Sequence, residues 1–206
     1  MTRSDLTVER VRHPLKMRIL TVARVERIAG LLARVTFTGE DLRDFVSASF
    51  DDHVKLFFPA DPSQPLLLPE VGPDGIKFPE GAPRPAARDY TPRRYDAARE
   101  ELDIDFVLHG DGPASTWAEQ AEAGQRLGIG GPRGSFVVPK GFDWHVLIGD
   151  ENALPAIARR LEELPATAQA LVLIEVPGAA NEIELSTRAQ ATVRRLHRDG
   201  TAAGYS

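Results

Sequence analysis

The chain has 206 residues, of which 42% are hydrophobic and 27% are charged, and its formal net charge is −5 at pH 7. This length allows one large domain or two small ones, and the acidic balance argues against a general nucleic-acid-binding protein. The chain contains no cysteine, which excludes disulfides, thiolate metal sites and cysteine nucleophiles.

The sequence also argues against a membrane protein and against a metal-binding protein. No apolar run approaches the length of a membrane span, and the N-terminal residues lack the apolar core of a signal peptide. The histidines show no spacing typical of metal ligands. We therefore expect a cytoplasmic protein without a structural metal, a membrane partner or a nucleic-acid partner.

Three β-rich runs follow a polar lead-in over residues 1–15. The runs at 17–25 and 31–38 flank a glycine turn, and the second alternates between apolar and polar residues, so the two are predicted to form a hairpin. A third strand is predicted at 53–58 and stops at a proline. Residues 59–87 are dense in proline and glycine and are predicted to be one long loop.

A polar run at 88–95, predicted to be a strand, carries the first chemical signal. Arg88 and Tyr90 should face the same side, because side chains alternate along a strand. A guanidinium binds phosphate, a phenol ring packs on a flat heterocycle, and the hydroxyl of Thr91 can donate to a ring nitrogen. These residue types favour a flavin dinucleotide, although an ordinary polar strand that enters a proline turn has the same pattern.

The next signal is a glycine-containing turn between a strand and a helix. Residues 102–108 alternate clearly, and a helix is predicted from Pro113 to Gly124. The free N–H groups of such a helix start can bind an anion, with Ser115 and Thr116 adding hydroxyls. A plain βα turn is the alternative.

Two domains are predicted, with the boundary between residues 141 and 142. With a strand at 125–129 and a glycine-rich turn at 130–136, the first unit has six strands and one inserted helix, which favours a Greek-key β-barrel. The second unit has strands at 146–148, 171–174 and 191–197 and a helix at 153–164, typical of a parallel α/β nucleotide-binding domain, and the apolar 171–174 strand predicts a sheet covered on both faces. No Gly-x-Gly-x-x-Gly follows its first strand. Three strands leave exposed edges, so this unit is expected to be truncated at its C-terminus or completed by another chain through self-association.

Four ordered blocks resemble a known family: Arg88-x-Tyr90-Thr91, Asp105 to Ala118, Gly130 to Ser135, and Gly149 to Ile157. Over residues 15–176 the chain resembles the siderophore-interacting proteins, which are FAD-dependent ferric-siderophore reductases of the ferredoxin–NADP reductase superfamily. The resemblance fades after Pro177. It implies an FAD-binding barrel followed by a partial NAD(P)-binding domain.

The resemblance also implies roles for individual residues. Arg88 would bind the FAD pyrophosphate, and Tyr90 and Thr91 would face the isoalloxazine. The strand and turn beside the flavin and its ribityl chain would contribute Asp105, Val107 and His109, and the helix start would bind the phosphates through Gly112, Ala114 and Ser115. Asp150 and Glu151 would lie in the nicotinamide-nucleotide cleft. Lys55 and Arg133 would attract an anionic ferric chelate, or would be an ordinary strand lysine and turn arginine. Trp117 is expected to pack in the core.

The implied function is reduction of a ferric siderophore to release ferrous iron. Electrons would pass from NADH, NADPH or a ferredoxin through FAD, and the cofactor would carry the chemistry, so no catalytic acid or base is predicted. The alternative is a non-catalytic protein that binds a ferric chelate or a flavin with an incomplete reductase domain.

Overall fold

The structure of the protein, a computed structural model, describes residues 6–59, 66–73, 75–81, 83–110 and 112–202. The strands are β1 (Glu9–Arg12), β2 (Met17–Ile28), β3 (Leu32–Thr38), β4 (Val54–Phe58), β5 (Glu70–Gly72), β6 (Gly75–Lys77), β7 (Ala86–Tyr90), β8 (Arg94–Asp96), β9 (Glu101–Val107), β10 (Arg126–Gly130), β11 (Gly134–Val137), β12 (Trp144–Gly149), β13 (Gln169–Val176) and β14 (Gln190–His197). The helices are α1 (Pro113–Glu119) and α2 (Leu154–Glu163).

The first part of the chain is built on a seven-stranded antiparallel sheet in the order β7-β4-β10-β2-β3-β9-β8. Five of the six predicted strands are present as single strands, and the β2–β3 hairpin is confirmed. The prediction of a single strand over residues 88–95 is wrong, because the chain leaves the sheet after Tyr90 and re-enters it at Arg94. Pro92 has no backbone N–H and cannot continue the ladder of hydrogen bonds. The sheet therefore has seven strands where six were predicted.

The sheet is strongly curled, because its two edge strands are joined by three residues. A flat sheet of this order would separate β7 from β8 by roughly 29 Å, at about 4.8 Å between neighbouring strands. The connection from Tyr90 to Arg94 spans at most about 15 Å, since successive Cα atoms are about 3.8 Å apart. The edges must therefore curve towards each other into a half-barrel.

Two predicted irregular segments contain short strands. The N-terminal lead-in includes β1, which pairs antiparallel with β11, a strand whose first three residues lie inside the turn predicted at 130–136. The predicted loop over 59–87 includes the β5–β6 hairpin. Both predictions were wrong in these places, because three- and four-residue strands are too short to show the alternation that reveals a strand in sequence.

The curled sheet encloses an apolar core that α1 closes on one side. Ala114 and Ala118 of α1 are buried in this core. The Trp117 ring lies parallel to Phe37 with a centroid separation of 6.1 Å, which confirms its packing role. The helix ends at Glu119, before the predicted Gly124, because the following backbone bonds to β2: the Gly124 N–H donates to the Val22 carbonyl over 2.8 Å.

The last third of the chain forms a three-stranded parallel sheet in the order β12-β13-β14. Helix α2 makes the crossover from β12 to β13, so the predicted strand–helix–strand unit and the third strand are both confirmed. The helix buries Leu154, Ile157 and Leu161 against this sheet. The same cluster includes Leu32 and Val107 of the curled sheet, so apolar packing joins the two parts of the chain.

The other face of the parallel sheet is not covered by the residues that the structure describes. Trp144 is 65% exposed and Ile148 is 69% exposed, and Leu171 on the next strand is also exposed. The prediction of a sheet covered on both faces was therefore wrong for the described part of the chain. The apolar run at 171–174 arises because Val172 and Ile174 pack on α2 while Leu171 points the other way. Among the described residues, no helix is long and apolar enough to span a membrane.

Candidate functional site

A cavity of about 490 Å³ lies where β7, the end of β9, the start of α1 and the start of α2 meet. Its volume is typical of a small-molecule site. It brings together most of the residues predicted to bind the cofactor, namely Arg88, Tyr90, Thr91, Asp105, Val107, His109, Gly112, Ala114 and Ser115.

Arg88 and Tyr90 share one face of β7, as their spacing predicted. Arg88 pairs across the sheet with Leu56, and Tyr90 pairs with Val54. Among the described residues Arg88 has no ion-pair partner, and its guanidinium donates only to the carbonyl of Ala87, over 2.8 Å. The cavity therefore contains an uncompensated positive charge that can bind a phosphate.

Tyr90 is held by an aromatic contact. Its ring centroid lies 4.5 Å from that of Phe106 on β9. Burial raises the pKa of Tyr90 to about 12, and the nearby charge of Arg88 offsets the increase only in part. The phenol is therefore protonated at neutral pH and can donate a hydrogen bond into the cavity.

The turn before α1 is fixed by Ser115, which is 1% exposed. Its Oγ accepts hydrogen bonds from the N–H groups of His109, over 3.2 Å, and of Gly110, over 3.3 Å. Among the described residues, no acceptor is found for the hydroxyl proton of Ser115. Gly112 has a φ of 108°, which L-residues rarely adopt, so glycine is required there to turn the chain into the helix.

Asp105 lines the cavity, but its carboxylate is already paired. Arg34 donates to both oxygens, from Nε over 2.7 Å and from Nη2 over 2.8 Å. The Nε of Arg93 lies 3.7 Å from the second oxygen. The Asp105 side chain is 2% exposed, and its two oxygens are already occupied by arginines. Its main role is therefore structural.

The two cations predicted to attract a ferric chelate lie outside this cavity. Lys55 Nζ donates to Asp89 Oδ1 over 2.7 Å, and this pair stands on the neighbouring strands β4 and β7. Arg133 is exposed and has no ion-pair partner among the described residues. The two are near in the fold, since Lys55 pairs across the sheet with Gly130, three positions before Arg133.

Asp150 and Glu151 are not part of the cavity wall. The Asp150 carboxylate accepts from the backbone N–H of Asn152 over 2.9 Å. Arg198 donates to both oxygens of Glu151, over 2.8 and 2.5 Å, and lies 3.4 Å from Glu175. The hydrogen bonds with Glu151 raise the pKa of Arg198. These groups lie at the carboxyl ends of the parallel strands, the edge at which doubly wound sheets bind nucleotides.

Sequence reasoning missed several residues of the cavity wall: His53, Asp89, Pro113, Asn152 and Pro155. For His53 a signal existed, because it begins the strand predicted at 53–58, and the observed strand β4 pairs with the strand of Arg88 and Tyr90. Asn152 and Pro155 had no local signal, because only the packing of α2 on the curled sheet brings them to the cavity. No group of three metal-ligating side chains is found among the described residues.

A second cavity, of about 1100 Å³, shares Pro113 with the first and lies along the other side of α1. Trp117 lines it together with two arginines, Arg84 and Arg126. Ala86, at the start of the strand that carries Arg88, also contributes. The two cavities therefore lie on either side of the start of α1.

Comparison with known proteins agrees with this geometry. Residues 21–136 match the siderophore-interacting FAD-binding domain, and residues 142–206 match the siderophore-interacting protein domain. An NADPH-dependent ferric-chelate reductase of Escherichia coli is 51% identical over 156 residues, which are 76% of this chain and 60% of the relative. The ferric vibriobactin reductase ViuB of Vibrio cholerae is 41% identical over 197 residues, which are 95% of this chain and 70% of the relative. The chain thus spans 60–70% of the length of these relatives.

Solved structures show the same relationship. A siderophore utilization protein from T. fusca superposes with a TM-score of 0.89 at 44% identity, covering 97% of this chain and 76% of the other. The ferredoxin reductase of carbazole 1,9a-dioxygenase, at 16% identity, has a TM-score of 0.62 over 89% of this chain and 50% of its own, and shows the shared fold alone. The half-barrel followed by a parallel sheet is therefore a ferredoxin reductase-like fold, and the chain belongs to the family of siderophore-interacting proteins.

Proposed function

We propose that the protein reduces the ferric iron of a siderophore, using FAD and a nicotinamide nucleotide. The observation that carries this proposal is that Arg88, Tyr90 and Thr91 line one cavity with the turn at Gly112 and Ser115. A guanidinium with no ion-pair partner in the described ranges, a protonated phenol and a glycine turn suit a pyrophosphate joined to a flat ring system. FAD, when bound, converts a two-electron donor into a source of the single electrons that ferric iron accepts.

The cavity residues would hold FAD by separate contacts. Arg88 would neutralise the pyrophosphate, and the N–H groups of Gly112 and Ala114 would bind its oxygens, since those of His109 and Gly110 donate to Ser115. Tyr90 and Thr91 would offer hydroxyl donors to the isoalloxazine, while Val107 would form an apolar wall and exclude water. Asp105 would contribute mainly by fixing Arg34 and Arg93.

The second cavity suits the adenosine half of FAD. It lies on the other side of Pro113 from the first, so a dinucleotide can extend past the start of α1 from one cavity to the other. Trp117 and Phe58 offer apolar surface, and Arg84 and Arg126 offer positive charge. Trp117 would keep its core packing on Phe37 while one edge faces the ligand.

The nicotinamide nucleotide would bind at the carboxyl edge of the β12–β13–β14 sheet. Asp150 and Glu151 follow β12 at this edge, and Asn152 and Pro155 link it to the FAD cavity. Glu151 is paired with Arg198, so it would act by placing that arginine near an anionic cofactor. Ferredoxin would be the alternative electron donor.

The substrate would be an anionic ferric chelate, attracted by Lys55 and Arg133. Arg133 supplies the larger effect, because it has no ion-pair partner among the described residues and Lys55 is paired with Asp89. Long-range attraction of this kind raises the local concentration of an anion and weakens with added salt.

The test is reconstitution followed by turnover. We expect protein incubated with FAD and then desalted to show the visible absorption of bound oxidised flavin. It should then oxidise NADPH or NADH at a rate that depends on added ferric chelate, with ferrous iron trapped by a chromogenic chelator. If the protein takes up flavin but chelate does not stimulate oxidation of the nicotinamide nucleotide, the result would support a non-catalytic binding protein. The reductase names of the relatives do not favour that alternative.

The remaining elements of the proposal concern organisation and location. We propose that residues 1–141 form the FAD-binding domain, with Greek-key connections, and that residues 142–206 form a nucleotide-binding domain. The exposed face and edge of the parallel sheet would provide a surface for self-association. The reaction would take place in the cytoplasm, where reduced nicotinamide nucleotides are available.

A further inference from the structure

Helix α2 holds the short connection between β7 and β8 through Arg159. Its Nη1 donates to the carbonyl of Pro92 and to Oγ of Ser47, both over 2.8 Å. Its Nη2 donates to the carbonyl of Ser47 over 3.0 Å. The Arg159 side chain is 12% exposed, so little water reaches its guanidinium and the protein groups supply its hydrogen bonds.

A second contact between the same elements lies one turn further along the helix. Arg93 Nη1 donates to Glu162 Oε2 over 2.9 Å, and Nη2 donates to the other carboxylate oxygen. Arg93 is 9% exposed, and its Nε has no hydrogen-bond partner among the described residues. A buried guanidinium needs its partners, so Glu162 is required to hold the side chain of Arg93 in place.

These contacts bear directly on the FAD cavity. Thr91 lines that cavity and immediately precedes Pro92, whose carbonyl accepts from Arg159. The first turn of the same helix lines the cavity through Pro155. One helix therefore forms part of the cavity wall and also holds the backbone next to Thr91, which lines the same cavity.

We propose that Arg159 and the Arg93–Glu162 pair are positioning residues that set the geometry of Thr91 against the flavin. This inference depends on the proposed FAD site. Without Arg159, the carbonyls of Pro92 and Ser47 lose their donors, and the three-residue connection gains conformational freedom. Thr91 then leaves its place beside the cavity, although its own side chain is unchanged.

The test measures flavin binding and flavin electronics in Arg159→Met. We expect the FAD dissociation constant to rise about tenfold, the effect of losing one or two hydrogen bonds. The midpoint potential and the visible absorption maxima of the bound flavin should shift, because the donor near the ring moves. Arg159→Lys should recover part of the affinity and move the spectrum back towards that of the wild type.

Two further variants separate positioning from general damage. Arg24→Met removes a two-bond pair with Glu101, whose distances are 2.7 and 2.8 Å, and within the described residues Arg24 has no hydrogen bond or ion pair with residues 91–93, while Glu101 keeps its 3.8 Å contact with Arg94. It should leave FAD affinity and potential unchanged. Glu162→Gln keeps the size of the side chain, which is 40% exposed. It should raise the FAD dissociation constant and shift the flavin spectrum by less than Arg159→Met does. It also tests the inference if Arg159→Met fails to fold.

The outcomes distinguish this inference from the proposed function. If wild-type protein takes up FAD while Arg159→Met and Glu162→Gln retain its affinity, spectrum and potential, the positioning role is wrong and the FAD site stands. Equal effects in Arg24→Met would also overturn the inference. A wild-type protein that takes up no FAD would overturn both.

Discussion

Tyr90 and Phe106 lie with ring centroids 4.5 Å apart although their strands, β7 and β9, are not neighbours in the seven-stranded sheet. The contact crosses the interior of the half-barrel from one edge strand to a strand next to the other edge. Tyr90 therefore contributes in two places: its ring helps to close the sheet, and the residue also lines the cavity.

Two substitutions of Tyr90 separate these roles. Tyr90→Phe keeps the ring and should leave the thermal unfolding midpoint near that of the wild type, while FAD affinity falls several-fold, by about 1 kcal/mol for one lost hydrogen bond. Tyr90→Ala should in addition lower the free energy of unfolding by about 3 kcal/mol, as for other buried aromatic truncations. Thermal melts of the apoprotein and flavin-fluorescence titration provide the two measurements. A strongly destabilised Tyr90→Phe would show that the hydroxyl has a structural role.

Arg88→Ala should abolish stable FAD binding while the fold survives. The guanidinium contributes little to stability, because it is exposed and, within the described part of the chain, donates only to the neighbouring Ala87 carbonyl. Its loss removes the uncompensated charge of the cavity. The flavin-to-protein absorbance ratio after desalting is the measurement, and Arg99→Ala, at an exposed arginine outside the cavity wall, is the control. Full flavin occupancy in Arg88→Ala would disprove the pyrophosphate role.

Lys55 and Asp89 should have opposite effects on chelate reduction. Lys55→Ala should raise KM for anionic ferric chelates by a few-fold and leave KM for neutral chelates unchanged, since it removes a positive charge. Asp89→Asn should lower KM for anionic chelates, because it releases Lys55 from its 2.7 Å pair. Both effects should shrink at high salt. Identical changes for anionic and neutral chelates would exclude a role in steering.

Asp105→Asn tests the structural role of the buried carboxylate. It leaves Arg34 and Arg93 without their shared anion, so the free energy of unfolding should fall by about 3 kcal/mol. FAD affinity, measured at a temperature at which the variant is folded, should change by less than this loss of stability. Urea denaturation provides the first quantity. A variant that keeps wild-type stability but loses FAD would instead make Asp105 a direct cofactor contact.

The environment of His145 predicts that the protein becomes less stable in acid. Its ring is buried edge-on against Phe142, its Nε2 has no hydrogen-bond partner among the described residues, and burial, followed by the charge of Arg160, lowers its pKa. The unfolded chain therefore binds a proton at a higher pH than the folded chain does. Stability should be complete above the unfolded-state value of about 6.5 and should fall as the pH drops below it.

The measurement is the urea midpoint between pH 7.5 and 5. His145→Leu should flatten the acid side of this profile. His197→Gln, which leaves His145 in place, should retain the decrease. If the wild type and His145→Leu have the same profile, protonation of His145 does not set the acid limit.

Local pattern was sufficient to predict much of the fold, whereas the resemblance to a known family implied most of the cavity residues. The alternation at 31–38 and 102–108 predicted β3 and β9, and the stripe of α2 predicted the helix between two parallel strands. The spacing of Arg88 and Tyr90 predicted that they share a face, and the structure confirms it. Such patterns can be read from the sequence because each depends on the period of one strand or helix, over fewer than about a dozen residues.

Tertiary structure alone decided which charges are free. Lys55 is paired with Asp89, which is 34 positions away, and Glu151 with Arg198, which is 47 positions away, whereas Arg88 is left unpaired among the described residues. The curl of the sheet and the contact between α2 and the β7–β8 connection likewise have no local signal. Charge pairing and packing depend on which distant segments meet, and the meeting of segments is a property of the whole core and not of any single period in the sequence.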